Sequence, residues 1–555
     1  PNKAAYKDAT LISCAINCVL GSKSIITGVT GALMGTNVRC LAVSALLMFF
    51  TCIKAYQFAS PQAQEWLGNI SFPTAPAYIN DFAFKHQLVV ELKLTTTRVE
   101  LELHDGSYVH FTTRAFNGRI PCPTLWLTPG DHLIFRIINT LAPGESNRTS
   151  IHLHGLHVGN DGIIVQPGEK KTFKFTIPKD HPSGTFWYHP HVHGLINSQI
   201  SGLMAGALVI LDRREDLPAF LHRIHDIPLL VQAVCASDCL HKHDMLDQAI
   251  QLPSIDREKK FKVDLYSNSL GVQVLLNAHS VPTIEIPSGE WTRLRFINAI
   301  ANNIIEIAPP SKPCTTLLIA KDGIMLTSWF TIENAIILVP GGRVDVLVQC
   351  PAMDEPVPIH AVKNASAMEL GHHHRIHPQL IAYLNTTANF GESITKVIPQ
   401  PLQVTLPTYM RVPPTAALKT MECTYNYTFT ANDSAMTAYG VNGKPFNSSS
   451  DPIKFGLWVP QLWCIGLARP EHHNHPFHIH NTHFLVLHSN GMYEWQDTIP
   501  ILHEVKRIWF IPSVVGPTMS HCHIAWHADQ GMAQILLVRG KHSDRPSLID
   551  HMSQR

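Results

Sequence analysis

Four histidine clusters carry the chemistry open to this sequence. They are His152-Leu153-His154, His189-Pro190-His191, His475-Pro476-Phe477-His478-Ile479-His480, and His521-Cys522-His523 with His527 and Met532 close behind. Along a strand, residues i and i+2 share a face while i+1 points away. Each H-x-H pair can therefore offer two imidazoles to one site. In the last cluster the same rule sends His521 and His523 one way and Cys522 the other. One thiolate then serves one metal while its neighbours serve another a few bonds away, which is a covalent electron path. Two His, one Cys and a nearby Met, here His475, Cys522, His527 and Met532, are the donor set of a blue-copper site. The eight remaining His suit a cluster of imidazole-bound copper ions. Structural zinc fits less well, because the thiolate is single rather than paired as C-x2-C.

These clusters need short strands to position them, and the chain reads as β. Val99, Leu101 and Leu103 alternate with Glu100 and Glu102, and Leu294 and Phe296 flank Arg295. Such period-2 runs, punctuated by many of the 39 Pro and 32 Gly, indicate sandwiches or barrels. A repeat occurs at domain scale. Asn117-Gly118 leads to Pro129-Gly130 and a strand ending at Asn139, and Asn277-Ala278 leads to a matching strand ending at Asn298. Asn442-Gly443 opens a third, weaker copy. The spacing predicts an all-β chain of three consecutive sandwich domains, over 75–215, 225–370 and 395–545. At 555 residues the length agrees. Lys+Arg 43 against Asp+Glu 42 leaves +1, which provides no basic field for nucleic acid. No obligate protein partner is evident in the sequence.

The first 60 residues read as a leader. Residues 41–53 are an apolar run of 13 behind Arg39, the length of a signal-peptide core and short of the roughly 20 that span a membrane. Met34 is a candidate start, secretion is the expectation, and an uncleaved signal anchor is the alternative. Sequons at Asn69, Asn147, Asn364, Asn385, Asn426, Asn432 and Asn447 suggest a glycoprotein. Eight cysteines follow the leader. Setting Cys522 aside leaves an odd number, so at least one thiol is unpaired within the domain, and Cys122 is the candidate.

With its four motifs in order, the chain resembles the three-domain multicopper oxidases (laccases, ferroxidases and cuprous oxidases) from about residue 85 to 540. The resemblance implies three cupredoxin-like Greek-key β-sandwiches and four copper ions. It implies a type 1 copper at His475, Cys522 and His527 with Met532 axial, and a type 2 copper at His152 and His478. It implies a type 3 pair at His154, His189, His191, His480, His521 and His523. Four one-electron oxidations of a small donor, passed through Cys522, would reduce dioxygen to two waters with four protons. The implied donors are phenols or aromatic amines, with Fe(II) the alternative. A dedicated cuprous oxidase is disfavoured, since no Met-rich insert is present, and a non-catalytic copper-binding protein is a minor alternative because no type 1 ligand is lost. Asp161 matches a family position for proton relay. Asp497 is a second candidate, or else orients a copper ligand. The Glu that many relatives carry in the last motif is replaced here by Ala525 and Trp526. His193 is expected at the cluster rim. His372, His373, His374 and His377 are expected in a solvated loop.

Overall fold

The computed structural model describes residues 87–159, 163–235, 272–366, 370, 374–387, 398–413, 415–431, 439–447, 451–469, 474–488 and 492–540. The leader, Asp161, His372, His373, Cys239, Asn69 and Asn432 lie outside these residues. Among the described residues strands dominate and pair into six sheets, two per sandwich. In the first sandwich the strands Tyr108–Phe116, Gln87–Glu102, His132–Asn139 and Lys170–Thr176 face the sheet of Leu125–Leu127, Gly206–Ile210, Gly184–His189 and His152–His154. The second sandwich pairs a seven-stranded with a five-stranded sheet, and the third a six-stranded with a five-stranded one.

The repeat seen in the sequence is a repeat of hydrogen bonds. Asn117, Asn277 and Asn442 all adopt positive φ, at 57°, 50° and 50°. Each side chain accepts from one strand amide, that of Lys93, Leu230 or Thr428, and donates to the carbonyl two residues earlier. Asn tolerates this left-handed backbone because its short polar side chain bonds locally. In each sandwich the first strand runs parallel to a later strand beyond the turn, His132–Asn139, Thr292–Asn298 or Gln461–Leu467. Asn139 and Asn298 repeat a second device, each donating its side-chain amide to two backbone carbonyls and accepting from the residue two ahead.

The period-2 pattern is visible in burial. Tyr108–Phe116 begins by alternating exposed and buried, and Leu133, Phe135 and Ile137 enter the core of the first sandwich. The second sandwich departs from the pattern, because Thr292–Asn298 and Arg343–Gln349 are buried along their whole length. Arg295 therefore does not face water. Its guanidinium meets Asp226, Asp345 and Thr185, and Arg293 meets Asp212 at 2.6 Å. The expected end of this domain at 370 falls short, since Gln379–Thr387 pairs with both Thr283–Pro287 and Val357–Val362.

Disulfides join Cys314 to Cys350 and Cys423 to Cys464. Cys122 and Cys522 are buried and outside any disulfide, in keeping with the expectation for Cys122. One sequon is covered in the folded chain. The Asn147 side chain is buried, with its amide nitrogen donating to Ala142 O and its oxygen accepting from Arg114, so the nitrogen that would carry a glycan is not presented to solvent.

Candidate metal centre

Strand register builds the centre. His152–His154 pairs antiparallel with Gly184–His189, setting His152 opposite His189. In the third sandwich Phe477–Ile479 pairs with Gly516–Cys522, setting His478 opposite His521 and Phe477 opposite Cys522. Residues opposed in an antiparallel pair share a face. His478, His480, His521 and His523 accordingly gather on one side, while Cys522 enters the third sandwich's core beside Phe477, Trp526 and Met532. The two H-x-H pairs from the first and third sandwiches then stack ring on ring. His152 lies on His480 with centroids 3.7 Å apart, and His154 on His478 at 3.8 Å.

On the Cys522 side, His475 Nδ1 and His527 Nδ1 stand 3.8 and 3.6 Å from Sγ, and the three residues form one potential metal-holding group. The Met532 side chain is fully buried in the same core, and its carbonyl accepts from the Cys522 N–H at 3.0 Å. On the other side the ring nitrogens converge. His521 Nε2 is 3.0 Å from His191 Nε2 and 3.1 Å from His480 Nε2, His523 Nε2 is 3.3 Å from His154 Nδ1, and His478 Nε2 is 3.4 Å from His152 Nε2.

Hydrogen bonds decide which nitrogen is bare in four of the rings. Carbonyls only accept, so His521 Nδ1–H donates to Cys522 O, His478 Nδ1–H to Asp497 O, and His189 Nδ1–H to Pro190 O. His154 is reversed, donating Nε2–H to Asp497 Oδ1 at 3.1 Å and leaving Nδ1 toward His523. Burial, reinforced by neighbouring rings, holds His154, His189, His191, His478 and His523 well below the ordinary histidine range, hence neutral. Where both facing nitrogens of such a neutral pair are bare, their lone pairs repel unless a cation lies between them. His189 Nε2 is moreover buried with no hydrogen-bond partner among the described residues. The donor set therefore fits copper, with thiolate and imidazole on one side and imidazoles alone on the other.

Every expected donor with described coordinates reaches this region, Cys522, Met532 and the ten histidines alike. Asp497 is fully buried, paired to Arg343 through two bonds of 2.6 Å, and bonded to His154, which is the geometry of an orienting group. His193 is not in the cluster; its ring lies 4.4 Å from that of Phe446. The loop expectation for His374 is corrected. Ile304 and Arg375 form a parallel bridge and Arg375 pairs with buried Glu306, which draws the segment inward and sets the His374 ring edge-on to His527 at 5.2 Å. Tyr439 stacks on the same imidazole at 4.6 Å.

Residues invisible to motif reading also surround the centre. Asp322 and Arg343 come from the second sandwich, and nothing in their local sequence marks them. Three further histidines form a buried chain. Tyr409 O–H donates to His157 Nδ1 and His157 Nε2–H to His483 Nδ1, each at 2.7 Å, while His483 Nε2–H donates to Asp322 O. His181 Nε2 accepts from the His157 amide.

Comparison with known proteins agrees with this architecture. Multicopper oxidase family models match residues 99–215 and 418–542. A multicopper oxidase of Staphylococcus aureus is 23% identical over 79% of this chain and 86% of its own length. A laccase of Thanatephorus cucumeris is 24% identical over 79% of this chain and 90% of its own. Among solved structures, a multicopper oxidase from Campylobacter jejuni described as a metallo-oxidase superposes with TM-score 0.62 at 23% identity, covering 85% of this chain and 96% of its own. A laccase-like enzyme from Ochrobactrum, with activity toward lignin model compounds, reaches 0.63 at 21% identity over 84% of this chain and all of its own. With both matched segments carrying histidine motifs that converge on one buried centre, the chain belongs to the multicopper oxidase family and is a copper-dependent oxidoreductase that uses dioxygen as acceptor.

Proposed function

We propose that this oxidase is laccase-like, taking single electrons from phenolic or related aromatic donors. The carrying observation is the strand Gly516–Cys522 and its continuation, which put Cys522 in one donor group, His521 in another, and His523 beside His154. In this reading His475, Cys522, His527 and Met532 hold a type 1 copper. His152 and His478 hold a type 2 ion, and the other six histidines hold a type 3 pair. Copper, when bound, supplies a one-electron couple at the first group and dioxygen reduction at the second. The protein's own part is to desolvate the donors, fix their tautomers and join the two groups through one residue. Asp161 keeps its expected role as proton relay within this proposal.

Support for an aromatic donor lies around His527. Its ring is buried, stacked by half-buried Tyr439 and met edge-on by His374, a π-rich surrounding suited to planar donors. A hydrated Fe(II) ion calls instead for carboxylate ligands. The second reading, a metal-ion oxidase, is kept because one structural relative is described as a metallo-oxidase. Oxygen uptake with a methoxyphenol and with Fe(II) decides between them. A larger kcat/KM for the phenol is expected, and a saturable, much larger value for Fe(II) would refute the choice. Export of the mature enzyme is part of the proposal, on the strength of the apolar run at 41–53. Its check is the N-terminus of protein recovered from culture medium.

A further inference from the structure

The second sandwich supplies none of the ten imidazoles, yet it holds the residue that orients two of them. Asp497 sets His154 through its carboxylate and His478 through its carbonyl, at 3.1 and 2.7 Å. The two rings stack 12° from parallel and present opposite nitrogens, Nδ1 of His154 and Nε2 of His478. A single residue therefore decides which lone pairs face the centre.

Asp497 is in turn gripped from the second sandwich. Arg343 Nη1 and Nη2 each donate to one carboxylate oxygen at 2.6 Å, and both side chains are wholly buried. Asp322 Oδ2 accepts the amides of Asp497 and Thr498, at 3.2 and 3.3 Å, and Asp322 Oδ1 accepts the Arg343 amide. The rest of the guanidinium is committed as well, Nε to Thr185 O, Nη1 to Gly341 O and Nη2 to Asp322 O. A planar fork with five fixed donors matches this arrangement, and a lysine ammonium cannot reproduce it.

We propose that Arg343 is a positioning residue for the imidazole cluster, acting through Asp497 on the tautomer and orientation of His154 and His478. The inference rests on reading these histidines as copper donors. A purely structural ion pair would instead behave like Arg293 and Asp212, which pair with comparable burial and, among the described residues, make no hydrogen bond to a cluster histidine. Loss of such an outer hydrogen-bonding partner typically costs about 10–100-fold in metal affinity.

The test compares wild-type holoenzyme with Arg343→Gln and Arg293→Gln, by copper content, visible absorption and electron paramagnetic resonance during dialysis against graded chelator. In Arg343→Gln, cluster copper is expected to leave at chelator levels about 10–100-fold lower than in wild type, with the blue band of the Cys522 site retained. Arg293→Gln is expected to hold cluster copper like wild type even where its Tm falls. Equal retention by Arg343→Gln, equal loss in Arg293→Gln, or loss of the blue band together with the cluster overturns the inference. If Arg343→Gln does not accumulate, Arg343→Lys is read in the same way, because it keeps the charge without the fork. A wild type that binds copper only at the blue site would sink the donor assignment itself, an outcome distinct from the others.

Discussion

At the scale of single residues, Cys522 carries the strongest prediction. Its sulfur is the only thiolate within the His475 and His527 group, so no neighbour can substitute for it. Cys522→Ser is expected to abolish the blue band, lower copper by one ion per chain and reduce donor oxidation to background. The cluster histidines face the other way, so copper held there should persist, and metal analysis with absorption spectra checks both halves. Cys122, also outside a disulfide, behaves oppositely. Burial pushes the Cys122 thiol up to about 12, and the thiolate is the reactive form. Iodoacetamide at pH 8 should leave Cys122 unmodified in the folded enzyme and alkylate it in denaturant, as read by mass spectrometry. Modification of Cys122 in folded protein would contradict its buried placement.

At the scale of elements, the site depends on how closely loops of the second sandwich approach the strands of the other two. Gly341 has φ +84, and a Cβ there would lie 2.7 Å from His523 ring atoms. Gly155 is similar, since a Cβ would meet Arg343 Nη2, Asp497 Oδ2 and Phe186 Cδ1 at 2.7 Å. Gly341→Ala combines left-handed strain with overpacking, each worth about 1–3 kcal/mol. It is expected to lower Tm and to disturb the His523 side of the cluster while sparing the blue band. Differential scanning calorimetry and copper analysis are the measurements, and an unchanged cluster would show that the loop yields without moving His523. Much of this level could be read in advance. The i, i+2 rule placed Cys522 and its flanking histidines on opposite faces, and the repeat led by Asn117, Asn277 and Asn442 marked three equivalent turns. The reach of the second domain to 387 was hidden, because a stretch with few apolar pairs lies before its last strand.

At the scale of the whole molecule, burying so many neutral histidines makes stability depend on pH. His181 lies outside the donor set, and burial lowers its pKa to about 3, against roughly 6.5 in an unfolded chain. Between those values the unfolded chain binds a proton that the folded one does not, so stability rises with pH across this window and falls as pH drops through it. The slope approaches about 1.4 kcal/mol per pH unit for this one residue, and His157 and His483 shift in the same direction. Denaturant unfolding of copper-loaded enzyme at pH 7 and pH 5 is expected to show the loss, and His181→Gln to reduce it. Equal midpoints at both pH values would argue against burial as the state of these rings.

The 34 histidines illustrate where sequence reading ends. Donor identity, the alternation of faces and the threefold repeat follow from spacing of a few residues, because strand geometry turns that spacing into direction whatever the rest of the chain does. His157, His181 and His483 looked unremarkable, since a hydrogen-bonded chain to Tyr409 exists only once segments hundreds of residues apart are brought together. The same holds for Arg295, which alternation assigns to an outer face and which another sandwich then covers. Arg343 and Asp322 belong to this class. Contacts among three domains, and with them the tautomers of His154 and His478, are set by packing at long range, which no local period encodes.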